Sequence, residues 1–305
     1  MKKLTIMIIS LFTISCQSDE GFRISKKILS SITITSRNTQ QDGVEFYLGS
    51  TTLTISENKL TKIVTSNSYQ VFEYSENLVT KRLEYNLQNQ LISLTNYTYD
   101  GSGRITKVEK NELENPHIIT NETTYNQNKA KSIWKGACGY LNPYVTKFSI
   151  DEFGQLLKED VANANDSIFD SYDYNYSNGN LVGCLRKGSS NFLLNEEENM
   201  IFNYAKGNKN YYKKFMFGAD WKINSAIENS VNFFSPYDEG NFITIDPETS
   251  DELILSYGTE KKFKVNYAYT YDNQGDVISQ SKETTYPDGR KYKTTTNYNY
   301  AFIIN

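Results

Sequence analysis

One histidine, five prolines and three cysteines are spread over 305 residues. Each scarcity excludes something. With His117 alone there is no Ser-His-Asp or Cys-His set with a partner to spare, and no multi-histidine metal centre. Its setting, Asn115-Pro116-His117, reads as the decoration of a turn. No stretch beyond residue 14 approaches the roughly 20 apolar residues of a membrane-spanning helix. The sequence has no GxGxxG, P-loop or CxxC motif, so neither a nucleotide, a cofactor nor a metal is expected. A net charge of −4 without clustered cations disfavours a nucleic-acid partner, whose phosphates require concentrated positive charge. What is abundant is aromatic: 24 Tyr and 16 Phe against an overall apolar content of 38%. Such a chain builds its core from rings rather than from Leu and Ala.

The first fifteen residues read as an address. Lys2 and Lys3 precede a mostly apolar, uncharged segment at 4–14, too short to span a bilayer and suited to a cleaved export signal. The junction Thr13-Ile14-Ser15-Cys16 resembles the lipobox of bacterial lipoproteins, with Thr13 where that motif usually has Leu. The resemblance implies acylation of Cys16 and cleavage just before it. It also implies a membrane partner reached through lipid, and triacylation makes such anchoring durable. Gln17-Ser18-Asp19-Glu20 has no Asp directly after the cysteine, as in lipoproteins sorted to the outer membrane. The acidic pair resembles a surface-export tether, so the cell surface is expected, with the periplasmic face as the alternative. Residues 16–35 are then the acylated cysteine and a flexible tether, and 36–305 the folded domain. Cys138 and Cys184 remain. In an oxidising compartment they can pair, closing a loop worth roughly 4 kcal/mol; the alternative is two buried, unpaired thiols.

Eight segments share one pattern. Ile55, Tyr74, Tyr85, Tyr99, Tyr125, Ile150, Tyr176 and Tyr271 are each followed at once by Ser, Asn or Asp, then by Gly or Asn, then by an aliphatic or apolar residue. In one group the Gly or Asn comes four residues on (Asn89, Gly103, Gly154, Gly275), in the other three on (Asn58, Asn77, Asn128, Gly179). Gly and Asn accept the positive φ of a tight reversal, and the Asp/Asn/Ser side chain bonds the turn amides. The pattern predicts repeated hairpins. The near-constant spacing from Tyr99 to Tyr176 leaves room for two strands and a turn at each end, placing the opposite turns near 111–116, 137–142 and 162–166. Tyr172, Tyr174 and Tyr176 alternate with polar residues, as do Tyr267, Tyr269 and Tyr271. That is the signature of an antiparallel sheet buried on one face. The expected fold is all-β: an antiparallel meander of hairpins in a curled or rolled, twisted sheet.

Tyr97-Thr98-Tyr99-Asp100-Gly101-Ser102-Gly103-Arg104-Ile105 resembles the YD repeat of RHS-type and teneurin-like proteins, and Tyr269-Thr270-Tyr271-Asp272-Asn273-Gln274-Gly275-Asp276-Val277 is its second full copy. The likeness spans about 44–186 and 258–305. It is similar, too, to bacterial lipoproteins carrying a few divergent YD-like hairpins behind a lipidated cysteine. In RHS proteins such repeats enclose a toxin; with so few copies that role is not carried over.

Residues 187–257 break the pattern and read as an irregular insertion capping the sheet, with Asn191–Phe202 as a short helix or edge loop. Function tends to sit on loops held by a rigid scaffold, so this is where a pocket is expected. Candidate ligand-binding rings are Trp134, Trp221, Phe233, Phe234 and Tyr237, with burial in the core as the competing reading of the indoles. Asp100, Asp151 and Asp272 read as turn formers, Glu196–Glu198 as a solvated helix start, and 246–251 as a polar turn. No residue set points to catalysis. The expected role is noncatalytic binding or scaffolding at the envelope, with a glycan or an envelope protein as partner. The alternatives are a carboxylate-dependent enzyme acting on polysaccharide, which needs two acids on one cleft, and a glycan- or peptide-binding module.

Overall fold

The computed structural model describes residues 25–39, 45–113, 117–136, 144–152, 155–177, 180–188, 197–203, 214–217, 223–224, 227–228, 252–257, 261–286 and 288–304. The first half contributes β1 (Ser25–Thr39), β2 (Glu45–Ser56), β3 (Lys59–Val64), β4 (Ser68–Ser75), β5 (Leu78–Asn86), β6 (Leu91–Tyr99), β7 (Ile105–Glu112), β8 (His117–Asn126) and β9 (Lys129–Lys135). The second contributes β10 (Tyr144–Ile150), β11 (Leu156–Ala162), β12 (Ile168–Ser177), β13 (Asn180–Gly188), β14 (Glu197–Asn203), β15 (Glu252–Tyr257), β16 (Lys261–Tyr271), β17 (Val277–Thr285) and β18 (Lys291–Ile304). Between β14 and β15 lies a short helix, α1 (Lys214–Phe217), and residues 223–224 and 227–228 are also helical.

Consecutive strands pair antiparallel from β1 to β18, and β1 also pairs with β18. Its register runs from Ser25 opposite Ile304 to Thr39 opposite Lys291, while its other edge holds β2. The expected roll therefore goes all the way round: these 18 strands form a ring in which each has two neighbours. The arrangement removes the unpaired edges that an open meander would expose. Both chain-terminal strands begin or end at one rim, and that rim also carries the turns after Ile55, Tyr74, Tyr99, Tyr125, Ile150 and Tyr271. Tyr85 ends a strand at the opposite rim.

The turn chemistry follows from the side chains. Asp100 Oδ1 accepts the amides of Ser102 (2.9 Å) and Arg104 (3.0 Å), and Asp272 Oδ1 those of Gln274 (2.9 Å) and Asp276 (3.0 Å). Asn86 and Asn163 repeat the pattern at the opposite rim. Gly103, Gly275, Asn89 and Asn58 take the positive φ expected of them. In two of the shorter turns, however, positive φ falls one residue before the Asn, on Glu76 and Gln127, and Glu57 shares it with Asn58. Seven of the eight turns are followed by a register shift, since two residues of the outgoing strand oppose one of the incoming strand. Such bulges raise twist and bend the strand. Repeated around the sheet, they supply the curvature that a ring needs. Only the Tyr125 turn among the eight lacks one.

Tyrosine hydroxyls stitch neighbouring hairpins. Tyr74 donates to Leu60 O (2.7 Å), Tyr99 to Val79 O (2.6 Å), Tyr125 to Ile105 O (2.8 Å) and Tyr300 to Val277 O (2.9 Å). Each acceptor is an aliphatic residue in the first two positions of the outgoing strand of the preceding hairpin. Burial pushes the Tyr74 and Tyr99 phenols well above the ordinary tyrosine value, so they stay protonated and donating across the physiological range. Tyr99→Phe should cost about 1 kcal/mol, read as a lower denaturant midpoint at unchanged slope.

The alternating tyrosines face inward, as their spacing predicts: Tyr172, Tyr174 and Tyr267 are buried, whereas Asn175, Ala268 and Thr270 are exposed. The core is continuous around the ring and takes in Leu53, Leu60, Ile105, Phe148 and Leu156. Gly136 is a point of close approach. It has φ +99°, and a Cβ added there would lie 2.0 Å from the Ile118 carbonyl oxygen. Gly136→Ala should destabilise by about 1–2 kcal/mol from backbone conformation alone, with the clash in addition; thermal unfolding measures it.

Three expectations are corrected. The tether does not run to residue 35 and the folded domain does not start at 36, because Ser25–Thr39 is β1, paired on both sides. Of the segment expected as a helix or edge loop, the described part is a strand, because Glu197–Asn203 forms β14. Its register sets Glu197 and Glu198 opposite Lys187 and Arg186, and facing positions of opposite charge favour strand pairing. The interval 187–257 is likewise not irregular throughout, since β14 and β15 continue the ring inside it.

The outer wall is charged. Glu73 and Lys81 face each other across β4 and β5, and Lys107, Glu109, Glu122, Lys131 and Lys147 continue around it, all more than a third exposed. A lipid-facing wall needs an apolar band, and each Lys at a bilayer midplane costs about 2–4 kcal/mol. This wall is built to face water.

Candidate functional site: two polar clusters on the inner wall

Part of the segment between β14 and β15 is packed inside the ring. Met216, Phe217, Ile223 and Ile227 are almost fully buried, and Phe217 meets Tyr97 edge-on at 5.9 Å. Polar contacts fix it to β5–β8. The Glu228 carboxylate, 1% exposed, lies 2.6 Å from Arg82 Nη1 and accepts the Tyr97 hydroxyl at 3.2 Å. Asn224 Oδ1 accepts the Ile105 amide (2.8 Å) and its Nδ2 donates to Gly103 O (3.0 Å). Asn121 Nδ2 donates to Ile227 O at 3.2 Å. An inserted segment held by a buried ion pair and side-chain amides docks in one register, because each buried polar group needs its partner.

The second cluster lies on β11–β13. Arg186 grips Asp170 with two nitrogens, Nε to Oδ1 and Nη2 to Oδ2, both at 3.0 Å. Tyr172 donates to Asp170 Oδ2 (2.9 Å), and the guanidinium sits over the Tyr172 ring at 5.6 Å. Glu159 faces Tyr172 across the strand pair and accepts the Tyr174 hydroxyl at 3.2 Å. Burial, reinforced by the charges of Asp170 and Asp160 and opposed by the Tyr174 hydrogen bond, pushes the Glu159 carboxyl up to about 7. Two acids thus share one inner face in different states, one ion-paired and one holding its proton near neutrality.

Neither cluster was identified from sequence. Asp170 had a legible signal, since it extends the row of Tyr172, Tyr174 and Tyr176 by one step of two. Arg82 had none, because the bulge after Tyr74 inverts the alternation. Of the rings proposed as ligand contacts, Trp134 is in the core, 4% exposed and 5.8 Å from the Tyr144 ring, so it presents no surface to a ligand. Trp221, Phe233, Phe234 and Tyr237 lie outside the described residues, as do Cys16, Cys138 and the turn at 246–251. Cys184 is buried on β13. His117 opens β8 opposite Glu112. Asp100 and Asp272 do serve as turn formers, and Asp151 accepts the Gln155 amide at 2.7 Å. Among the described residues no group of three or more His, Cys, Asp or Glu is placed to hold a metal ion.

No protein-family model matches the chain, and no curated protein does. Among solved structures it is similar to a porin-like protein from Bacteroides uniformis, at TM-score 0.43 and 12% identity over 90% of this chain and 96% of that one. It is similar to a porin-like protein from Bacteroides vulgatus at TM-score 0.37 and 11% identity, over 90% and 99%. A chain of the TcdB2-TccC3-Cdc42 complex matches at TM-score 0.32 and 9% identity, over 84% of this chain and 14% of that one.

Proposed function

We propose that this chain is a noncatalytic outer-membrane lipoprotein: a water-facing ring of YD-like hairpins, acylated at Cys16 and displayed at the cell surface for binding or scaffolding. The observation that carries the reading is the charged outer wall, which suits a domain held beside a membrane rather than within one. The lipobox-like junction supplies the anchor, and the tether from Cys16 joins β1 at the rim bearing the tyrosine turns. Eight intervening residues reach at most about 30 Å, enough to hold that rim near the headgroups. The partner class is a glycan or another envelope protein. Labelling with radioactive palmitate tests the anchor: wild type incorporates label, and Cys16→Ala does not. Equal labelling of the two would defeat it, and protease shaving of intact cells separates surface from periplasmic display.

A second reading, an enzyme acting on polysaccharide through two carboxylates, is favoured by one observation. Glu159 and Asp170 occupy diagonal positions on one inner face, and such positions lie about 7–8 Å apart. If it holds, Glu159→Gln and Asp170→Asn each abolish glycan cleavage; a wild-type protein that leaves envelope polysaccharides intact removes it.

A further inference from the structure

The turn at 272–276 differs from its counterpart at 100–104 in where its cation comes from. In the earlier turn the cation is internal. Arg104 Nη2 lies 2.8 Å from Asp100 Oδ2, and the guanidinium covers the Tyr125 ring of the next hairpin, 4.2 Å from its centroid. In the later turn the position of Arg104 is taken by Asp276, so two carboxylates stand together. Lys27 of β1 takes the cation's role. Its Nζ bonds the Asp272 carboxylate, lies 2.8 Å from Asp276 Oδ2, and sits 4.4 Å over the Tyr300 ring. Tyr300 makes to Val277 O the bond that Tyr125 makes to Ile105 O. The arrangement around Arg104 is thus reproduced with a cation from the other end of the chain.

This substitution falls at the seam where the two ends of the chain meet. β1 and β18 are held together without a connecting turn. At the top of β2, the residue in the place of the stitching tyrosine is Ile55, which has no hydroxyl to donate. We infer that Lys27 is the latch of the ring, and that β1 is the strand at which the ring opens to its inner wall. Lys27 reaches from β1 over β18 to the β16–β17 turn. Asp276 enforces its use, because without Lys27 the two turn carboxylates face each other uncompensated. Neither the strand pairing nor the Lys27 contacts depend on acylation of Cys16.

Hydrogen exchange on the full chain, read strand by strand, tests it with Lys27→Ala, Asp276→Arg and the double variant. Lys27→Ala should speed exchange of β1 and β18 amides roughly tenfold, as a local opening does, and leave β6 and β7 as in wild type. Asp276→Arg restores an internal cation like Arg104, so the double variant should recover wild-type protection of β1. Should Lys27→Ala fail to fold, Lys27→Met keeps the stem over Tyr300 and removes only the charge, and the same pattern is expected. Uniform or unchanged exchange in the single variant would overturn the latch, as would a double variant no better protected than Lys27→Ala.

Discussion

Arg82→Ala should destabilise the protein by about 3–5 kcal/mol, the range for removing one member of a buried ion pair. Glu228 is 1% exposed and Arg82 retains 15% of its side-chain surface, so the lost Coulomb attraction is not recovered from water. The Tyr97 hydroxyl still donates to the carboxylate, but a neutral donor offsets less of its desolvation than a guanidinium does. Unfolding in urea gives the magnitude. The damage should be local, since Glu228 and Asn224 help to pin the inserted segment. Limited proteolysis should therefore cut within 204–251 well before any strand of the ring. Arg82→Met with Glu228→Leu should recover most of the loss, because an apolar pair of similar volume replaces a buried ion pair at little cost. A double variant as unstable as Arg82→Ala would mean that the pair does more than fill space.

Glu159→Gln should make the protein more stable, and increasingly so as pH rises. The Glu159 carboxyl is raised from an ordinary 4.5 to about 7, first by burial. Between those values the unfolded chain has released the proton and the folded chain still holds it. Stability therefore falls as pH climbs through that window and levels off above it. A shift of this size corresponds to an upper bound of about 3 kcal/mol. Glutamine has no proton to lose and can still accept from Tyr174, so the variant should gain little at pH 4.5 and most above pH 7. Parallel stability profiles for the two proteins would show that the carboxyl is not the origin of the pH dependence. The nearby charges, Asp160, Asp170 and Arg186, remain in both.

The repeat was readable because its chemistry is local. Asp100 and Asp272 need only their own turn amides, and Gly103 and Gly275 only their own φ, so five to nine residues contain the whole instruction. The inward row at 172–176 was readable for the same reason. Closure was not, because it depends on β1 meeting β18 across nearly the whole chain, and no window of sequence contains both. The bulges were hidden as well. They appear only when two strands are compared, yet each inverts the alternation after it, which is how Arg82 comes to face inward. Residues 197–203 were misread because three consecutive acids suggest a solvated segment until the strand opposite, with Arg186 and Lys187, is known. Glu228 and Asn224 lie in a stretch without periodicity, where sequence offers no face to assign.

The central claim, that β1 lies between β18 and β2, can be tested on one residue. Thr33 is opposite Asn297 on one side and Thr52 on the other, and paired strand positions place Cα atoms within disulfide range. Cysteines at 33 and 297, and separately at 33 and 52, should both cross-link on mild oxidation of the folded protein. One pair cross-linking while the other stays reduced would mean a sheet with a free edge, and the ring would have to be abandoned.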